Sequence, residues 1–222
     1  MKLNKERIPR RIIQFCHDKT SLPNELRNAA NNTRRSQWFY DYRFFDDESV
    51  VAFIRQHYCT DTLNLYQNNH IAASRCDMAR LLILYKLGGF YVDLSMEIKS
   101  SLSLFRKNDL VLLQRDDMAV KANRDPADAH CTNSIIGVPP ESAYIEKCLM
   151  LMRQRLRSRK YNFDVIQATG PGILNTVLSE FSNIQVCKVP FSQARESLFN
   201  YVRIQKFSNT WTEQQKFGIY RD

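Results

Sequence analysis

Between Ser74 and Glu97 the chain gathers Asp77, Arg80, Asp93, Ser95 and Glu97, the residues best suited by type and spacing to do chemistry. Asp77 and Arg80 are three apart, so on a helix they project together; spacing alone describes a surface ion pair equally well. A carboxylate accepts two hydroxyl bonds, and a guanidinium donates a planar fork of N–H groups. Asp93 closes a short apolar run, which places a carboxylate at the lip of a sheet, where open α/β folds bind ligands. Carboxylate oxygens of that kind suit a hard divalent cation such as Mn or Mg. Strand alternation would put Asp93, Ser95 and Glu97 on one face if the strand continues. Glu97 would then add a second charged oxygen beside the neutral Ser95 hydroxyl; an ordinary strand-end acid is the other reading of it.

The elements that must hold these groups are legible around them. Ser74 reads as a helix N-cap, with Asp77 completing a capping-box-like start. Met78, Leu81, Leu82 and Tyr85 follow at i, i+3, i+4 and i+7, one apolar stripe. Gly88 supplies a left-handed helix end, Gly89 a tight reversal, and Phe90, Tyr91 and Val92 a short strand.

Strands and helices alternate over the rest of the chain. Ile8–Cys16 reads as a first strand, Pro23–Ala30 as a helix with Leu22 and Leu26 inward, and Gln37–Asp47 as a second strand. Asp46, Asp47 and Glu48 suit the first turn of a helix carrying Val50, Val51, Ile54 and Tyr58. Asn68-Asn69-His70 reads as a polar connection. Asp109–Gln114 and Thr132–Val138 are apolar strands, separated by a charged, loop-like Arg115–Ala129. A helix follows with Tyr144, Ile145, Cys148, Leu149 and Met152 inward, ending in the basic series Arg153, Arg155, Arg157, Arg159 and Lys160. Thr169-Gly170-Pro171-Gly172 opens a helix; its amides either face a sugar or phosphate, or simply begin a helix. Ile184–Val189 and Tyr201–Phe207 complete the strands. The alternation means an α/β domain with a mainly parallel mixed sheet.

The 222 residues, 44% hydrophobic and 11% aromatic, describe one folded domain over 1–222. No apolar run approaches the ~18–20 residues of a membrane span, and no secretory segment opens the chain, so a cytoplasmic setting is expected. The net charge of +9 is compatible with nucleic acid, anionic lipid or phosphorylated substrates. No aromatic–basic interleaving or known module supports nucleic acid. The basic helix end is a solvated face or a peripheral contact with an anionic membrane at its inner side. Six scattered cysteines read as reduced thiols, and four histidines lack metal-ligand spacing.

The order Asp77, Arg80, apolar helix, Gly88, Gly89, Tyr91, Asp93 resembles the signature of glycosyltransferases whose sugar-binding region contains a DXD motif. Capsule and O-antigen sugar transferases, outer-chain mannosyltransferases and large glucosylating toxins share it. The resemblance implies a compact GT-A-like fold, with donor-binding concentrated in 8–95 and the acceptor side and closing tail in 96–222. It also implies a nucleotide-sugar donor, a glycan or lipid-linked acceptor, transfer with retention in surface polysaccharide synthesis, and a divalent cation. Carried over by position, Asp93, Asp77 and Arg80 serve catalysis, Asp77 and Arg80 hold the donor sugar, and Tyr91, Asp93, Gly170, Lys206 and Trp211 join the donor site. Asn133 falls on the acceptor side. The second aspartate of the motif is Ser95 here, and no histidine precedes Trp211 in the tail. The metal set would be Asp93, Ser95 and Glu97, with Lys206 taking part of the cation's role or facing solvent. These two departures keep open a relative that binds nucleotide sugar or glycan without turnover.

Overall fold

The computed structural model describes residues 7–182, 184–202 and 211–220. In chain order these form strand β1 (Arg11–Phe15), helix α1 (Asn24–Ser36), β2 (Asp41–Phe45), α2 (Asp47–His57), α3 (Thr60–Gln67) and α4 (Ala72–Leu87). Strands β3 (Gly89–Val92), β4 (Met96–Ile98) and β5 (Leu110–Gln114) come next, then α5 (Asp116–Lys121), β6 (Cys131–Val138), α6 (Ala143–Ser158), α7 (Val165–Ala168) and α8 (Pro171–Glu180). The last elements are β7 (Val186–Pro190), α9 (Phe191–Ser197), β8 (Phe199–Tyr201) and α10 (Trp211–Gln214).

Six strands form one mixed sheet in the order β2-β1-β3-β6-β5-β7. The pairs β1/β2, β1/β3 and β5/β7 are parallel, while β6 runs antiparallel to both β3 and β5. The ends of β1, β3, β5 and β7 and the start of β6 therefore meet at one lip. Strand alternation divides the core. Ile13, Tyr91 and Leu112 pack toward α2, α4, α6 and α8; Ile12, Phe90 and Val111 pack toward β4, β8 and α9.

Helix α4 is the central element, and its core half is buried on nearly every side, from Asp77 to Leu84. It starts three residues before the expected position. Ile71 is the flanking residue, Asn69 Oδ1 accepts from the Ile71 amide at 3.1 Å, and Ser74 does not cap. Its hydroxyl is fully buried instead, and accepts from Asn69 Nδ2 at 2.7 Å.

The Gly88–Gly89 reversal is forced sterically. Both have positive φ, 59° and 108°, and a Cβ on Gly89 would lie 2.8 Å from the Arg11 Cβ and carbonyl oxygen. This junction sets the distance between α4 and Asp93.

Other boundaries moved for local reasons. Asp46 caps α2 in a reciprocal pair with Ser49, as its acidic start suggested. Helix α3 was not expected, because only Thr62 and Tyr66 of its eight residues are buried, too few to write a periodic pattern. The segment after Arg115 contains α5, and β8 spans Phe199–Tyr201, so its end meets the expected Tyr201–Phe207 at Tyr201, while residues 203–207 lie outside the described residues. Leu26 and Ala30 of α1 pack on Cys16 and Leu94.

Gly89→Ala should destabilise the fold by about 1–3 kcal/mol, the usual cost of an L side chain held at such a φ, before the clash with Arg11 is counted. Urea unfolding of the variant measures it. A loss below 0.5 kcal/mol, roughly the effect of a neutral surface change, would show that the reversal tolerates a side chain.

Candidate functional site

Arg80 is the centre of the buried polar cluster. Helical spacing aims it and Asp77 from α4 toward the end of β3, and only 5% and 6% of these residues is exposed. Arg80 Nη2 lies 3.1 Å from Asp77 Oδ1, and Nη1 lies 3.5 Å from Asp93 Oδ1. Its guanidinium stacks 4.5 Å from the centre of the Tyr91 ring and donates to the carbonyl oxygen of Asn133. Tyr91, itself buried, donates its hydroxyl to Asp93 Oδ1 at 3.0 Å.

Asp77 is enclosed from the other side. Asn133 Nδ2 donates to its Oδ1 at 2.7 Å, and Thr169 Oγ1 donates to its Oδ2 at 3.1 Å. Burial raises its carboxyl to about 6 against the pull of Arg80. Burial raises Asp93 as well, opposed by Arg80 and the Tyr91 hydroxyl.

A cavity of about 360 Å³ opens beside this cluster at the sheet lip. Asp93, Ser95, Thr132 and Ser134 form part of its wall, and the Asp93 side chain is 31% exposed. Residues 23–116 match the family described as "Glycosyltransferase sugar-binding region containing DXD motif". The resemblance read from the sequence is borne out.

Two curated relatives agree. An uncharacterized glycosyltransferase of Acanthamoeba polyphaga mimivirus is 31% identical over 85 residues, 38% of this chain and 34% of that protein. Inositol phosphoceramide mannosyltransferase 1 of Schizosaccharomyces pombe is 29% identical over 97 residues, 42% of this chain and 30% of that protein. The matched segments thus span about a third of either relative. The solved structure titled PaToxG Glycosyltransferase overlays with a TM-score of 0.59 at 18% identity, covering 79% of this chain and 70% of that one. At that identity the likeness is one of fold, and the fold is GT-A-like α/β.

The structure brings Asp77, Arg80, Tyr91, Asp93 and Asn133 together but presents Asp93 alone of these to the cavity. The polar atoms of Asp77 and Arg80 are taken by protein partners, and both side chains stand behind Asp93. Asn133 faces Asp77, while its neighbours Thr132 and Ser134 face the cavity, as alternation along β6 requires. The β5/β6 register jumps from Leu112↔Ile136 to Leu113↔Thr132, so Asn133 sits in an irregular stretch of β6, a common way to re-aim a side chain at a site.

Glu97 does not join Asp93. The chain turns after Asp93, with the Met96 amide donating to the Asp93 carbonyl at 2.9 Å, so one strand does not run through all three positions. The Glu97 carboxylate is held by Asn32 and Asn200 at 3.0 and 3.2 Å. Gly170 is buried, and a Cβ there would meet the Ile166 backbone at 3.0 Å; its smallness serves packing on α7 rather than an open amide cradle. Lys206 lies outside the described residues, as does the side chain of Trp211. In the basic end of α6, Arg157 forms an exposed ion pair with Asp61, while Arg155 donates to Gln167 and stacks on Tyr161. No helix among the described residues is long and apolar enough to cross a membrane.

A divalent cation at Asp93 would find one carboxylate that already faces a guanidinium, and one neutral hydroxyl from Ser95. No group of three His, Cys, Asp or Glu able to hold a metal occurs among the described residues. Hard cations gather several oxygen ligands; with one carboxylate and one hydroxyl from the described residues, most of them would have to come from water or a substrate's phosphates, so this donor set is weak.

Sequence reasoning missed two features. Thr169, three places before the expected helix opening's last glycine, ties α8's approach to Asp77. Asp47 is more than a first-turn acid, since it also receives Tyr66, Arg75 and His17. Contacts of such sequence separation write no local pattern.

Because the Asp77 carboxyl is raised from 3.8 to about 6, the folded state binds more protons than the unfolded chain between those values. Its contribution to stability is therefore complete below pH ~4 and is lost as pH rises through about 6. Asp77→Asn lacks this dependence, so its stability relative to the parent should improve by on the order of 3 kcal/mol from pH 4 to pH 7. Urea midpoints at both pH values check the sign; a relative change in the other direction would contradict a raised carboxyl.

Proposed function

We propose that the chain is a nucleotide-sugar-dependent glycosyltransferase acting on a glycan or lipid-linked acceptor, with retention of configuration, in surface polysaccharide synthesis. The observation that carries it is Asp93 at the edge of a cavity on the sheet lip, with Arg80 and Asp77 clustered behind it, in the order that the family's sugar-binding region has. The DXD-type relatives supply the class of reaction; donor, acceptor and linkage are this proposal's own.

Transfer breaks the bond between the sugar's anomeric carbon and the terminal phosphate oxygen, and the electron pair leaves with that oxygen. The acceptor's hydroxyl oxygen bonds to the same carbon from the same face, and its proton passes to the departing phosphate. Attack of this kind needs no strongly placed protein base. Asp93 touches the donor sugar, accepting from its hydroxyls. Arg80 acts through Asp93: with the Tyr91 hydroxyl it opposes the rise that burial imposes on that carboxyl and holds Oδ1, which leaves the second oxygen free, and Asp77 fixes Arg80 from behind. Thr132 and Ser134 offer hydroxyls along the same wall.

Ser95, in place of an acid, favours one other reading: a relative that binds nucleotide sugar or glycan without turnover. Slow release of free sugar and nucleotide from the bound donor separates the two.

A thermal-shift screen over nucleotide sugars should find one that stabilises the protein by about 2.7 kcal/mol at a hundred times its Kd. With that donor, Asp93→Asn should lower kcat roughly 10²–10³-fold, the scale of losing one directed electrostatic contact. Stabilisation by no activated sugar would remove the proposal, and donor binding with no donor hydrolysis would select the non-catalytic reading. The anomer of the product, read by NMR, tests retention.

A further inference from the structure

We propose that cationic side chains, Lys121 and Arg195 with Arg115 beside them, neutralise the departing diphosphate in place of a divalent metal. The inference rests on the nucleotide-sugar reading above and names how that site handles the donor's phosphates.

The wall facing Asp93 is built by two elements that leave the sheet at its lip. Helix α5 follows the end of β5 and carries Lys121; helix α9 follows the end of β7 and carries Arg195. Both side chains line the cavity, and neither has an ion-pair partner among the described residues. Arg115, at the start of α5, lines it too, but its fork is held by Asp117 at 2.8 and 3.0 Å. The cavity lining thus carries three cations against the carboxylates of Asp93 and Asp117, before Arg80 behind Asp93 is counted.

These cations are mounted on a braced frame. The Arg115 guanidinium stacks 4.7 Å from the centre of the Phe191 ring. Asp116 accepts from the Ser192 amide at 3.1 Å and from its hydroxyl, pinning the first turn of α9 to that of α5. Hydrogen bonds from Ser192 hold the Asp116 carboxyl below the usual range, so this brace stays charged through neutral pH. Helix α5 and helix α9 thereby present Lys121 and Arg195 across one opening.

The chemistry needs such groups. When the anomeric bond breaks, the nucleoside diphosphate leaves with an added negative charge, and charge placed in advance at that position lowers the barrier. Lysine acts there as a point charge and arginine as a planar fork to two phosphate oxygens. A donor set of Asp93 and Ser95 supplies little for a metal, whereas the cavity already holds the compensating charge.

The test is calorimetric binding of UDP, GDP, ADP and CDP to the full chain, in EDTA and in manganese. One nucleotide should bind in EDTA with affinity within about threefold of that in manganese. Lys121→Ala and Arg195→Ala should each weaken binding in EDTA about tenfold, the scale of one charge-assisted contact, and Lys121→Arg should recover most of it. Both residues are exposed, and unchanged melting temperatures will show that the variants fold. Binding that requires manganese and ignores both substitutions would overturn the inference while leaving the nucleotide-sugar reading intact. Binding of no diphosphate in either buffer would overturn both.

Discussion

The structure at this lip depends on one buried cation. Arg80 cannot lose its proton at any ordinary pH, so a chain that buries its guanidinium must surround it with acceptors. It does so with Asp77, the Asn133 carbonyl, the Cys76 carbonyl and sulfur, and the face of Tyr91. Each of these comes from α4, β3 or β6, so satisfying one charge fixes three elements relative to one another. Asp93, the member left open to the cavity, inherits its position from that arrangement. Buried networks of this kind are costly when incomplete, which makes the geometry all-or-none.

A second frame lies across the cavity and is of a different kind. There the charges are exposed, and what is fixed is the backbone that carries them, through Asp116 on Ser192 and Arg115 on Phe191. One wall of the cavity is thus a buried, mutually satisfied polar cluster with an acid at its edge. The other is a pair of short helices presenting long flexible cations. The division suits a ligand with hydroxyls at one end and phosphates at the other.

The departures from the family pattern are also physically connected. A second acid at position 95 would face the cavity beside Asp93 and add repulsion that a bound metal normally offsets. With serine there, the local charge falls by one, and the single carboxylate is balanced by Arg80. The turn that follows Asp93 removes Glu97 to Asn32 and Asn200, where its charge is satisfied away from the site. One acid fewer on one wall and three cations on the other act in the same electrostatic direction.

By itself the sequence determined the α/β alternation, the helix–Gly88–Gly89–strand unit, the common projection of Asp77 and Arg80, and Asp93 at a strand's end. Those follow from local rules: helical spacing, glycine's freedom at positive φ, and β-branched and aromatic preference in strands. Tertiary structure alone decided that Asp77 and Arg80 stand behind Asp93, that Ser74 packs rather than caps, and that Glu97 points elsewhere. It also decided that Lys121 and Arg195, far apart in a charged, loop-like stretch and a late helix, face one cavity. These outcomes rest on contacts between residues from 50 to more than 90 positions apart, such as Asn133 and Thr169 on Asp77. No periodicity or motif can encode such contacts, because they exist only once distant strands share a sheet.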